Sequence, residues 1–512
     1  MPRGWTLLFQ PWPDSIPGIP VCGPKCKAAV IDAMENEPVQ EPLVEITSLP
    51  LMEADIREAM EAEIRDACQP RRRRETMRIK VSNKYEPEDN AMLQALYSRS
   101  PEPVDSHMAK VEEAGSGKFM DRYYIGYGHK SIGDCGTTTV FIENVSMLAA
   151  KAIQDWPLYN GQEGSTRYMD FSTAEFSDPI GAEKTRGILE DWREFYLAAL
   201  NPVTRHLKEK YPIQEGEDEK VYERAIKARC FDILRCWLPA GARTQLSWHT
   251  NLRQARERLE WLEEHPMGEI AEMARYIHHK LAAAYPNSFN PGHSRGQLWR
   301  RAIAGHHIFD PSDSIWHRLR GEVHLTTDLQ EEDDLDDPAL LRLLNERPRG
   351  VELPRFLAEL GNIRSMFLLD FGSYRDVQRH RNGTIRMPLL TTKYGFHPWY
   401  LDQLPPDLRE TAEEFIETQK SRIDALDYDP VVVQNYIAMG FQVPCQVTQS
   451  LPAFVYRLEL RSSKHVHPTL RSVVHKEIKD FRDYFPTLTL HVDLEEDKWS
   501  IRRGQQTIEE KS

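Results

Sequence analysis

The chain reads as an α+β protein in two successive parts, on three observations. Apolar residues recur at helical spacing over long stretches, a β-branched patch runs into the first of them, and the order of elements begins again after an acidic connection. With 512 residues, 40% hydrophobic and 28% charged, the chain is long enough for about three domains, each with its own core.

Residues 1–80 are rich in proline and charge, and only Met52 to Cys68 is strongly periodic there, as a helix. The run Arg71 to Arg74 beside Glu75 reads as a solvated linker, and Cys22 and Cys26 lack the second pair that a structural metal needs. From 81 to 290 Phe141, Val145, Leu148 and Ala152 recur with period 3.6. So do Leu189, Trp192, Tyr196, then Tyr222, Ile226, Cys230, Ile233, Trp237, and finally Ile270, Met273, Ile277, Leu281. Pro157, Pro202, Pro239 and Pro286 supply the stops. Thr137 to Phe141, β-branched and turn-flanked, predicts a strand.

Residues 291–338 turn polar and end in Glu331 to Pro338, too acidic to pack, which sets the boundary between the parts. The second part, 339–500, runs from an amphipathic helix (Leu340, Leu341, Leu344) through the apolar stretch Met366 to Leu369 into arginine-rich segments, and 501–512 is a tail. The repeated order signals an ancient duplication.

A net charge of −14 disfavours a nucleic-acid coat, and there is no run of about 18 apolar residues to span a membrane. Seven cysteines, an odd number without framework spacing, indicate free thiols in a reducing, cytoplasmic setting. The histidines at 278–279, 306–307, 465 and 467 have no partners at metal-ligand spacing, so no metal is expected.

Two constellations carry chemistry. Tyr159 to Tyr168 is a polar loop after a helix: Gly161 and Gly164 allow close backbone approach, Ser165 and exposed N–H groups can donate to phosphate, Arg167 supplies a bidentate cation, and Glu163 can accept from a ring N–H. That mix suits a nucleotide monophosphate, and equally a helix C-terminal turn whose polar groups satisfy one another. Arg375 to Arg381 packs three arginines and a histidine against the single carboxylate of Asp376, which suits a pyrophosphate cofactor.

Gly128-His129-Lys130-Ser131, Glu163-x-Ser165-x-Arg167-Tyr168, Leu238-Pro239 to Thr244, Asn251-x-Arg253 and Glu269-Ile270 resemble the flavin-dependent thymidylate synthases in order and spacing. Ser98-Arg99-Ser100 resembles the upstream flavin-contacting segment. The second part resembles the same family through Arg379-His380-Arg381, its flavin signature, and through Glu459-Leu460-Arg461, Pro468 and Arg471. The departures are complementary: Asp155-Trp156-Pro157 replaces the flavin triad in the first part, Met387 and Leu389 replace the loop glutamate and serine in the second, and Trp261-Leu262 stands where a closing-helix arginine belongs.

The resemblance implies two tandem domains, each an antiparallel sheet packed with helices. It also implies one composite site per chain and a homodimer acting as a pseudo-tetramer. Glu163, Gly164, Ser165, Thr166 and Arg167 would bind a dUMP-like nucleotide; Arg379, His380, Arg381, Ser100, Ser131, Asn251 and Arg253 would bind FAD; Arg379, Arg461 and Arg471 would serve catalysis. The implied reaction is conversion of dUMP to dTMP with methylenetetrahydrofolate and NADPH, with no need for Cys135 as a thiolate. The alternatives are another C5 modification of a pyrimidine nucleotide, or an inactive nucleotide-binding homologue.

Overall fold

A computed structural model of the chain describes residues 85–98, 100, 104–120, 122, 130–164, 166, 169, 171–289, 296–304, 323–328 and 337–495. The expected helix at 52–68 and the motifs at 22–26 and 71–74 lie outside them. In chain order come α1 (Pro87–Tyr97), α2 (Val104–Ala114), a 3₁₀ turn (Lys130–Cys135), β1 (Thr137–Ser146), α3 (Met147–Gln154), α4 (Glu183–Lys210), α5 (Glu219–Leu234), β2 (Arg243–Asn251), α6 (Leu252–Leu262) and α7 (Gly268–Ala284). Next are α8 (Gln297–Ala304), β3 (His324–Thr327), α9 (Pro338–Asn345), β4 (Asn362–Asp370), α10 (Phe371–Gln378), β5 (Thr384–Arg386), α11 (Pro406–Asp424), β6 (Gln442–Ser450), α12 (Leu451–Arg461) and α13 (Pro468–Tyr484). The architecture is α+β, with two small antiparallel sheets, β1-β2 and β3-β4-β6-β5.

Strand and following helix are built alike in both parts. Ser146 ends β1 and caps α3, its hydroxyl accepting from Ala149 N at 3.0 Å; Asp370 ends β4 and caps α10, its carboxylate accepting from Ser373 N at 2.8 Å. Ser146 pairs with Arg243 as Asp370 pairs with Gln442. β2 buries Thr244, Leu246, Trp248 and Thr250 on one face, the alternation of a half-covered strand. The stretch Met366 to Leu369 lies in the second half of β4, paired throughout with β6, while β3 pairs with Ile363 to Met366 on the other side.

Two local expectations are corrected. Phe141 and Val145 belong to β1, not to the helix, which starts at Met147. Their helix-like spacing arises because the pairing slips between Ile142 and Val145, where Asn144 adopts φ 59°, so a bulge breaks the strand's period of two. Pro202 does not end a helix but sits inside α4. The buried stripe of Ala199, Val203 and Leu207 continues across it, and that burial offsets the roughly 3 kcal/mol of a mid-helix proline. The segment expected as a connection also holds α8 and β3, and β3 joins the second sheet.

One hydrophobic core runs through both parts. Phe195 stacks on Trp237 at 4.4 Å and on Phe415 at 4.7 Å, and Trp192 meets Phe415 edge-on at 5.0 Å while its indole donates to Tyr436 O at 3.1 Å. The backbones cross as well: Ala240 N donates to Ile437 O at 2.8 Å and Met439 N to Leu238 O at 2.9 Å. Glycine is needed at the crossing, since a Cβ on Gly241 would stand 2.6 Å from Asn435 O. This seam brings the loop after α3 and the end of α10 face to face. Among the described residues no helix is long and apolar enough to cross a membrane.

Candidate active site

After α3 the chain turns back along β2, and its backbone is fixed there by His249 N donating to Asn160 O, Ser247 N to Gln162 O and Gly164 N to Gln245 O, all at 2.7 Å. The Tyr159 hydroxyl donates to Ser247 O at 2.8 Å. A Cβ on Gly161 would collide with that same carbonyl oxygen, so the loop lies this close to the strand only because residue 161 is glycine. Glu163 is thereby turned inward, its side chain 5% exposed, where it accepts from Gln154 Nε2 at 2.8 Å and from Arg375 Nη2. Thr166 is buried. Ser165 and Arg167 lie outside the described residues.

Arg375 comes from α10, in the other part of the chain. The same helix supplies Gln378, whose amide donates to Lys151 O at 3.1 Å. Just beyond it Arg381 donates to Tyr159 O and lies over the Tyr159 ring at 4.9 Å. The loop of the first part and the arginine segment of the second therefore share one site.

Within that segment the three members of the signature differ. His380 is buried, its Nε2 accepting from Arg461 Nε at 2.7 Å, and burial together with the charges of Arg461 and Arg457 pushes it down to about 2. It is a neutral spacer with its proton on Nδ1. Arg461 also donates to Asp376 O at 2.8 Å, and burial lowers its guanidinium from the ordinary value. Asp376 is held low because Arg461, Arg379, Arg235 and Arg375 outweigh the opposing effect of its burial. Arg379 has a side chain 57% exposed and approaches Asp376 at 3.5 Å. It is the member of the trio available to an external anion.

The remaining expected residues stand elsewhere. Arg471 is buried and donates to Ser462 O at 2.6 Å and to Glu495 O at 2.5 Å, clasping the segment after α13. Asn251 caps α6 and Arg253 pairs with Asp134 at 2.6 Å and with Glu257 at 3.3 Å. Ser131, exposed, lies in the same turn as Asp134. Ser100 follows α1. In that turn the Cys135 thiol is raised by burial and by Asp134, so it is protonated at neutral pH.

Gln154 is a neighbour of Glu163 that sequence reasoning did not select, and Tyr159 and Arg375, though members of the two constellations, were given no role of their own. The available signal was the helical spacing of Arg375 and Arg379, which puts both on one face of α10. Electrostatically the site sets Arg375, Arg379, Arg381 and Arg461 against Glu163 and Asp376, an excess of positive charge on a protein whose total is negative. Arg379 is exposed enough to meet an anion, while Glu163 is buried against Gln154 and Arg375.

Residues 80–287 match the family model described as Thymidylate synthase complementing protein. Similar proteins extend the likeness across both parts. A UPF0159 protein of Thermoplasma acidophilum is 24% identical over 475 residues, spanning 78% of this chain and 94% of its own length. UPF0159 proteins of Chlamydia pneumoniae and Chlamydia muridarum are each 24% identical, spanning 73% and 74% of this chain and 79% and 81% of their own lengths.

Proposed function

Starting from the match of residues 80–287 to the thymidylate-synthase-complementing family, we propose that this protein is a flavin-dependent enzyme that methylates dUMP to dTMP, using methylenetetrahydrofolate and NADPH, at one composite site per chain. The observation that carries the reading is the junction of Glu163 with Arg375 and of Tyr159 with Arg381, which joins the nucleotide loop of one part to the flavin-signature segment of the other. The two parts are copies of one ancestral unit, and each keeps the half of the site that the other has lost. Two chains then make a four-unit assembly with two working sites.

An exposed Arg379 beside a buried, neutral His380 fits a polyanionic cofactor such as FAD. Bound flavin supplies the transfer of carbon and hydride that no side chain can perform. The protein's own task is to bind and polarise. Glu163, fixed by Gln154 and Arg375, accepts from a pyrimidine N–H; Arg379 stabilises the charge that develops on a pyrimidine oxygen as C5 becomes nucleophilic. His380 spaces Arg461 from Arg379 without exchanging a proton at working pH.

Methylenetetrahydrofolate labelled in its transferable carbon tests the reaction. With dUMP, NADPH and FAD, label recovered as the C5 methyl of dTMP supports the proposal. Label in a C5 hydroxymethyl group would identify another C5 modification, and no transfer with flavin retained would leave a nucleotide-binding homologue without activity.

A further inference from the structure

The second sheet sets β3 against the outer edge of β4, where it pairs with Ile363 to Met366. β1 is the counterpart of β4. Thr137 pairs with Asn251, the last residue of β2, as Asn362 pairs with Ser450, the last residue of β6, so Thr138 to Phe141 stand where Ile363 to Met366 stand. The first sheet consists of β1 and β2. Among the described residues, the outer edge of β1 therefore lacks the strand that its counterpart carries.

The direction of the main-chain groups on that edge follows from β2. Ser247 N and His249 N donate to the loop after α3, and Gln245 O accepts from Gly164 N, so the odd-numbered residues of β2 face away from β1 and the even-numbered ones face it. Their partners Thr138, Val140 and Ile142 face β2 in return. Thr137, Thr139 and Phe141 then turn their N–H and C=O groups outward, as Asn362 does in accepting from Asp328 N at 3.1 Å. None of the described residues bonds to them there.

Strand edges are usually blunted by charge, proline or a bulge. From Thr137 to Ile142 the chain carries neither charge nor proline, and the bulge comes only between Ile142 and Val145. Thr137 and Thr139 are exposed, and Phe141 is 76% exposed, whereas Met366 in the equivalent place beside β3 is half-buried. Two chains with a net charge of −14 each repel one another, and an uncharged strip is where that repulsion opposes contact least.

We propose that β1 pairs antiparallel with β1 of a second copy of this chain, across a two-fold axis at Thr139. An edge is its own complement in that arrangement. Thr139 meets the partner's Thr139 and Phe141 meets the partner's Thr137, in hydrogen-bonded pairs that end short of the bulge. The joined sheet runs β2-β1-β1-β2. The pairing gives the two-chain assembly of the proposed function its contact, yet it rests on sheet geometry alone. Label transfer without a dimer, or a dimer without label transfer, tells the two readings apart.

Light scattering on the full chain and on variants of its exposed edge tests this. The unmodified chain is expected to be a dimer at micromolar concentration. Thr139→Lys and Thr139→Glu each set like charges against one another on the axis and should weaken association about tenfold or more. Mixing the two variants should restore a dimer with one copy of each, which misfolding would not give. Thr139→Cys should form a disulfide with its own copy under mild oxidation, because Cα atoms about 5.5 Å apart are within bonding reach. Thr137→Cys, displaced along the strand by roughly 14 Å from its copy, should not. A monomeric unmodified chain, a dimer left intact by both charged variants, no recovery on mixing, or cross-linking of Thr137→Cys in preference to Thr139→Cys would each overturn the proposal. Should the charged variants not fold, the two cysteine variants decide the matter.

Discussion

His380 makes the stability of this protein depend on pH in a calculable way. Its imidazole is buried, accepts at Nε2 from Arg461, and in the folded chain lies at about 2, against about 6.5 when unfolded. Below about 6.5 the unfolded chain takes up a proton that the folded chain refuses. This contribution is therefore complete above about 6.5 and is lost progressively as pH falls toward 2. Between pH 7.5 and 5.5 the unfolded histidine goes from about one-tenth to about nine-tenths protonated, which removes about 1.4 kcal/mol of stability. His380→Gln keeps an acceptor for Arg461 and eliminates the titration. Equilibrium urea unfolding of both proteins at both pH values isolates the effect, because His278, His397 and His475 titrate in both and cancel in the difference. The unmodified protein should lose about 1.4 kcal/mol more than the variant. Equal losses would mean that His380 is solvated or protonated in the folded chain and would refute the reasoning.

Four further predictions follow from the same geometry. Arg375→Met leaves the carboxylate of Glu163 buried without its cation, so a destabilisation of about 3–5 kcal/mol is expected by denaturant unfolding. Combining it with Glu163→Gln should recover part of that loss, and strict additivity in the double-mutant cycle would argue against the contact. Gly161→Ala forces the loop off β2 and should destabilise by about 1–3 kcal/mol or more while abolishing the dUMP-induced change in the bound flavin's absorbance; an unchanged spectrum would show that the loop does not meet the nucleotide. Arg379→Ala removes a mostly exposed side chain, so stability should stay within about 0.5 kcal/mol while flavin is lost on desalting; retained flavin would assign that contact to other residues. Cys135→Ala should leave turnover intact, since its thiol is protonated and hydrogen-bonded to Ser131 O at 3.7 Å; loss of turnover with flavin retained would restore a thiolate to the mechanism.

Much of this was legible in the sequence, for a local reason. Caps, turns and helical faces depend on residues within a few positions of one another, so α5, α7 and the strand at Thr137 could be read directly. The constellations at 159–168 and 375–381 stood out because uncompensated charge is unusual within so short a span. The errors were also local. A bulge at Asn144 imitated a helical period, and Pro202 was overridden by a buried stripe that only the packing of α4 reveals.

The site required more. The sequence by itself determined which chemical groups are present, and that the loop glutamate and the arginine signature lie in different parts of the chain. It could not determine which arginine meets Glu163. Arg375, Arg379, Arg381 and Arg461 are chemically alike, yet one is paired across the seam, one is exposed, one lies on a tyrosine ring and one is bound to a neutral histidine. Burial and counter-ions are set by contacts between residues hundreds of positions apart, and these decide the pKa, the reach and the availability of every charged group, so the tertiary structure assigns the roles that composition leaves open.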